Sequence, residues 1–89
     1  MDDVNIYQIE FTTRALKNLK RIDTKYQILI IEKLEALKRN PITATNVKTL
    51  KGSIGFYRLR VANYRVIYEL ITGKLTILVI DINHRKNIY

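Results

Sequence analysis

The sequence predicts an α+β domain of order β-α-α-β-β-β, with a helix hairpin packed on one face of a mainly antiparallel four-stranded sheet. A short alternating segment opens the chain, two stretches of helical spacing follow, and three period-two runs close it. Strands and helices segregated in this way predict helices on one side of a sheet rather than a doubly wound fold. The 89 residues, 47% of them hydrophobic, suffice for a single domain over residues 1–89 with a modest core.

Each element has its own local reason. In residues 6–11, Tyr7, Ile9 and Phe11 alternate with Gln8 and Glu10, which is the period of a strand. Thr12 or Thr13 supplies a capping hydroxyl for a helix whose apolar stripe is Ala15, Leu16, Leu19 and Ile22. Lys17, Lys20 and Arg21 fall on the outer face of that helix. Thr24 and Gln27 have the spacing of a capping box and open a longer helix with the stripe Tyr26, Leu29, Ile30, Leu34 and Leu37. Lys38 and Arg39 complement the dipole at its end, and Pro41 stops it. The short link between the helices predicts an antiparallel hairpin. A basic connection with Lys48, Lys51 and Gly52 leads to strands over residues 56–61, 64–70 and 75–82, turned at Ala62-Asn63 and Thr72-Gly73.

The charge is uneven. Residues 1–47 carry eight Lys/Arg and six Asp/Glu, a balance of +2; residues 48–89 carry eight and two, a balance of +6, which together give the net +8. A positive field concentrated in one half points to a polyanion or an acidic partner, and at this basicity nucleic acid leads. There is no cysteine, so neither a disulfide framework nor a thiolate metal site is available, which suits the cytoplasm. The opening MDDVNIYQ lacks the apolar core of a secretory signal, and no apolar run approaches the length of a membrane span. The expectation is a soluble cytoplasmic protein without a membrane partner.

The stretch FYRLRVANYRVIYEL sets three arginines inside predicted sheet. With Ala62-Asn63 as a two-residue turn, Val61 faces Tyr64, Arg60 faces Arg65, Leu59 faces Val66 and Arg58 faces Ile67. Paired residues share a face, as do residues two apart. One face then holds Tyr57, Leu59, Val61, Tyr64, Val66, Tyr68 and Leu70, an apolar seat for the hairpin. The other holds Phe56, Arg58, Arg60, Arg65, Ile67 and Glu69. Like charges directly opposite one another destabilise a strand pair, and Glu69 is the only carboxylate on that face. Clustered guanidinium forks match phosphate oxygens, so this face reads as an anion site suited to an RNA backbone. The closing INHRKNIY places the single histidine, His84, beside Arg85 and Lys86, with Tyr89 last. His84 and Tyr89 are candidates for proton transfer and base stacking.

TTRALKNLKRID, KTLKGSIGFYRLRVANYRVIYEL and INHRKNIY, in this order within about ninety residues, resemble the RelE/ParE toxin superfamily, and within it the RelE-like branch. The resemblance implies the toxin of a type II toxin–antitoxin pair. RelE-like proteins are ribosome-dependent endoribonucleases that cut mRNA in the ribosomal A site by attack of a ribose 2′-OH on the adjacent phosphate. It further implies Arg58 and Arg60 against substrate phosphates; Lys51 and Lys86 are read from their charge as additional substrate contacts. Arg65, Arg85, Tyr89 and His84 are the implied catalytic set. No metal or other cofactor is expected, and the expected partners are an acidic RelB-like antitoxin, the ribosome and mRNA. Arginine does not lose its proton near neutral pH, so the base falls to Tyr89 or His84. The alternatives are a ParE-like gyrase inhibitor without nuclease activity and a non-enzymatic nucleic-acid-binding module.

Overall fold

The structure, a computed structural model, describes residues 6–84. Strand β1 (Gln8–Phe11) leads into α1 (Thr13–Lys20) and α2 (Thr24–Leu37), followed by β2 (Val47–Thr49), β3 (Phe56–Val61), β4 (Tyr64–Ile71) and β5 (Thr76–His84). The strands form one sheet in the order β1-β5-β4-β3-β2. β1 is parallel to β5, and the other three pairings are antiparallel.

Thr12 is the cap of α1: its Oγ1 accepts from Ala15 N at 3.1 Å and donates to the carbonyl of Ile80 at 2.9 Å. One side chain thus starts the helix and ties it to β5. Ala15 and Leu19 are buried, while Ile22 lies beyond the end of α1 and still packs against the core. The capping box expected at Thr24 and Gln27 does not form. Thr24 is already helical and Asp23 holds the cap position, so the Thr24 hydroxyl sits one residue too late. Gln27 Nε2 instead donates to the Ile22 carbonyl at 2.6 Å. Ile30, Leu34 and Leu37 are the buried stripe of α2, and Leu29 is partly buried beside them.

The expected four-stranded sheet has a fifth strand. Val47, Lys48 and Thr49 pair with Leu59, Arg58 and Tyr57, covering the edge of β3. Three residues carry too little alternation to announce a strand, and this one exists because β3 offers backbone partners beyond it as well. Arg60 N donates to Asn46 O at 3.0 Å, and Leu50 N to Phe56 O at 2.9 Å. The turn before β5 also differs from the expected pair Thr72-Gly73. Thr72–Lys74 is a 3₁₀ turn and Leu75 is left-handed at φ 49°, so the strand begins at Thr76.

β3 and β4 pair in the predicted register, with Val61 opposite Tyr64 and Arg60 opposite Arg65. Leu59, Val61, Val66, Tyr68 and Leu70 are buried against the helices, and Tyr57 and Tyr64 pack on them. Ile77, Val79 and Ile82 of β5 complete the core. A bulge lies in β5, where Ile67 pairs with Asp81 but the next residue, Tyr68, pairs with Val79. Ile80 is the extra residue, and it shifts the alternation so that Ile82 joins Ile77 and Val79 in the core. Among the described residues no helix is long and apolar enough to cross a membrane.

Candidate nucleic-acid interface

The sheet face away from the helices carries the basic residues. Across β2, β3, β4 and β5 one row reads Lys48, Arg58, Ile67, Asp81, and the next has Arg60, Arg65 and Asn83. Directly opposed residues hold their Cβ atoms about 5 Å apart, so Lys48 with Arg58, and Arg60 with Arg65, form two adjacent pairs of like charge. Asn46, Lys48, Arg58 and Arg60 line a pocket of about 160 Å³ at this edge. Arg60 is exposed, whereas Arg58 and Arg65 are half-buried by their neighbours in the sheet.

Glu69 sits on the same face, opposite Phe56. Among the described residues the ion pairs are Arg14 with Asp81 and Lys38 with Glu35, so Glu69 does not neutralise an arginine there. Two short antiparallel strand pairs thus hold four cations, Lys48, Arg58, Arg60 and Arg65, on one surface. Such a surface is suited in charge to an anion, and guanidinium forks match phosphate in geometry as well as charge.

Lys48 is the residue that sequence reasoning passed over. Its place opposite Arg58 follows from β2, and the alternation Val47, Lys48, Thr49 was the only available signal. Lys51 is exposed in the turn after β2, where Ser53 N and Oγ bond to the Leu50 carbonyl and Gly52 has φ 80°. It lies off the strand ladder that aligns the other cations.

His84 takes a different position from the arginines. It pairs with Tyr64, a residue of the helix-facing side, and the two rings meet edge-on with centroids 5.1 Å apart. Tyr64 in turn packs on Tyr26 of α2 at 5.5 Å. His84 lines a cavity of about 300 Å³ with Asn18, Arg21, Ile22, Ile82 and Asn83. The bulge causes this, because it reverses the alternation of β5 ahead of His84. Arg85, Lys86 and Tyr89 lie outside the described residues.

The comparisons with known proteins agree among themselves. Residues 9–89 match the family model described as the ParE toxin of type II toxin–antitoxin system, parDE. A protein of Methanocaldococcus jannaschii named as a toxin, RelE1, is 33% identical over 85 residues, covering 93% of this chain and 94% of that one. The mRNA interferase toxin RelE of Escherichia coli K12 is 28% identical over 82 residues, covering 90% and 84%. Among solved structures, the intact E. coli RelBE toxin–antitoxin complex superposes with a TM-score of 0.78 at 25% identity, covering 88% of this chain and 95% of that one.

Proposed function

The chain belongs to the ParE toxin family of type II toxin–antitoxin systems, and on that premise we propose that it is a ribosome-dependent endoribonuclease of the RelE kind. It is the toxin of its pair, and its cognate partner is a RelB-like antitoxin. The observation that carries the nuclease reading is the double pair of cations, Lys48 with Arg58 and Arg60 with Arg65, on the open sheet face.

In the proposed reaction a ribose 2′-OH of the A-site codon attacks the adjacent phosphorus. The O2′–P bond forms as the P–O5′ bond breaks, a proton leaves the 2′-oxygen, and one is delivered to the departing 5′-oxygen. Negative charge builds on the phosphate oxygens between these events. Arg58, Arg60 and Arg65 bind and stabilise that charge, with Lys48 widening the site towards the flanking phosphate. Guanidinium groups remain charged throughout, so they stabilise but do not take the proton. That role is assigned to Tyr89, with Arg85 and Lys86 as further phosphate contacts. His84 serves as an alternative acid or base only if it turns away from the Tyr64 ring. The reaction needs no metal in this scheme, and its ribosomal substrate puts the protein in the cytoplasm.

The ParE description of the matching family gives a second reading, a gyrase inhibitor on the same scaffold. One experiment separates them. In a cell-free translation system the protein is expected to cut the message within the A-site codon, as read by primer extension, and to leave gyrase supercoiling intact. An intact message with inhibited gyrase overturns the nuclease reading.

A further inference from the structure

Past Val79 the last strand loses one neighbour. β1 ends opposite Val79, so from Ile80 onward β5 pairs with β4 alone, and its other edge runs near the Thr12 cap of α1. The bulge at Ile80 disrupts the ladder at the same place. The residues beyond it still bear on the proposed chemistry. Asn83 stands directly opposite Arg65, in the row that begins at Arg60, which sets the Cβ atoms of Asn83 and Arg65 about 5 Å apart.

Asp81 braces this strand end. Its Oδ1 accepts from Asn18 Nδ2 of α1 at 2.7 Å and from Ile82 N at 2.9 Å, and its Oδ2 accepts from Asn83 Nδ2 at 3.3 Å. Arg14 Nε lies 3.6 Å from Oδ1, but the Arg14 side chain is largely exposed and adds little. Three donors from two elements thus converge on a side chain that is 18% exposed. A carboxylate suits them because it only accepts, whereas an asparagine amide would turn an NH2 group towards at least one donor. The core does not depend on this brace. Ile77, Val79 and Ile82 are buried, and Thr12 ties α1 to β5 independently.

We propose that Asp81 is a positioning residue for cleavage, acting through Asn83 on the Arg65 end of the phosphate site. This rests on the nuclease reading above. The bonds from Asn18 and Ile82 N fix the carboxylate to α1 and to its own strand, and the fixed carboxylate in turn holds the Asn83 amide beside Arg65. The end of β5 is thereby referred to a helix instead of depending on one neighbouring strand. A guanidinium stabilises developing phosphate charge only where its donors already point, and a misplacement of about 1 Å costs about 100-fold in rate. His84 and Arg85 follow Asn83 directly in the chain, so the same brace sets where that segment starts.

The test is a double-mutant cycle on Asp81→Asn and Asn83→Ala in the full-length protein, with the cleavage rate followed against the concentration of message-loaded ribosomes. Each single variant is expected to cut about tenfold more slowly at saturation, with the half-saturating concentration unchanged. The double variant is expected to be no slower than either, because the two residues act as one unit. Thermal unfolding checks that each variant is folded. A full rate in folded Asp81→Asn, or losses that multiply in the double variant, overturns the positioning role and leaves the nuclease reading standing. So does a half-saturating concentration that rises while the saturating rate holds, which makes Asp81 a binding contact. Should Asp81→Asn fail to fold, Asn83→Ala decides alone, since it leaves the ties to Asn18 and Ile82 in place, and a full rate there overturns the inference. A wild type that cuts no message overturns both the inference and the nuclease reading.

Discussion

At the scale of single residues, the pairing of Arg60 with Arg65 is the feature that stability alone does not explain. Directly opposed like charges cost a strand pair up to about 1 kcal/mol, and the same two positions would accept any β-former. In Arg65→Ala the chain is expected to stay folded while cleavage falls by about 100-fold or more, the scale of losing one transition-state donor. Full cleavage by that variant, measured by primer extension, removes Arg65 from the site. Tyr68 shows the opposite balance, a residue held for the fold. Its hydroxyl donates to the Pro41 carbonyl, its ring stacks on Tyr57 with centroids 5.6 Å apart, and it is fully buried. Burial first, and the neighbouring Tyr57 second, push its phenol well above the ordinary range. The folded state then keeps a proton that the unfolded chain gives up above about pH 10, so stability is complete below that pH and declines as pH rises beyond it. Tyr68→Phe is expected to lose about 1 to 3 kcal/mol at neutral pH by orphaning the Pro41 carbonyl, and to show a shallower alkaline decline. Urea unfolding between pH 8 and pH 11 reads both effects.

At the scale of elements, the legible parts were those with a repeating pattern. The stripes Ala15, Leu19 and Ile30, Leu34, Leu37 announced both helices, and the period-two run through the Ala62-Asn63 turn announced β3 and β4 with their register. Two features lacked any such pattern. β2 is three residues long and exists by pairing with β3, and the bulge at Ile80 is set by β5 fitting both β4 and the Thr12 hydroxyl. Both affect the site, since β2 brings Lys48 opposite Arg58 and the bulge sends His84 to the helix side. Lys48→Ala is expected to weaken binding of a short RNA uniformly across sequences and to reduce the log–log salt slope by about 1. An unchanged slope in a fluorescence titration places Lys48 outside the interface.

At the scale of the whole molecule, a net charge of +8 on 89 residues must be screened or covered when the toxin is held inactive. An antitoxin segment that neutralises the sheet face is accordingly expected to be acidic. Its apolar contacts have a ready surface in the exposed Ile28 and Ile31 of α2, beside the groove that Phe11, Ile31 and Leu34 share between β1 and α2. An amphipathic helix or strand laid there buries apolar area, while the charges steer its approach. Affinity is expected to fall as salt rises from 0.05 to 0.5 M, because exposed pairs are screened over about 10 Å at 0.1 M. A dissociation constant that stays flat over that range, by calorimetry, leaves apolar contact as the sole source of binding.

The sequence by itself determined the α+β class, the two helices, the central strand register and the face on which Arg58, Arg60 and Arg65 gather. These follow from local periodicity and from one two-residue turn, which are properties of neighbouring residues. Only the tertiary structure decided the fifth strand, the parallel pairing of β1 with β5, the place of Lys48 and the turn of His84 towards Tyr64. The pairing of β1 with β5 joins the two ends of the chain, β2 is too short to show a period of its own, and the turn of His84 depends on a bulge. Backbone pairing and core packing fix all of these, and local spacing is blind to them.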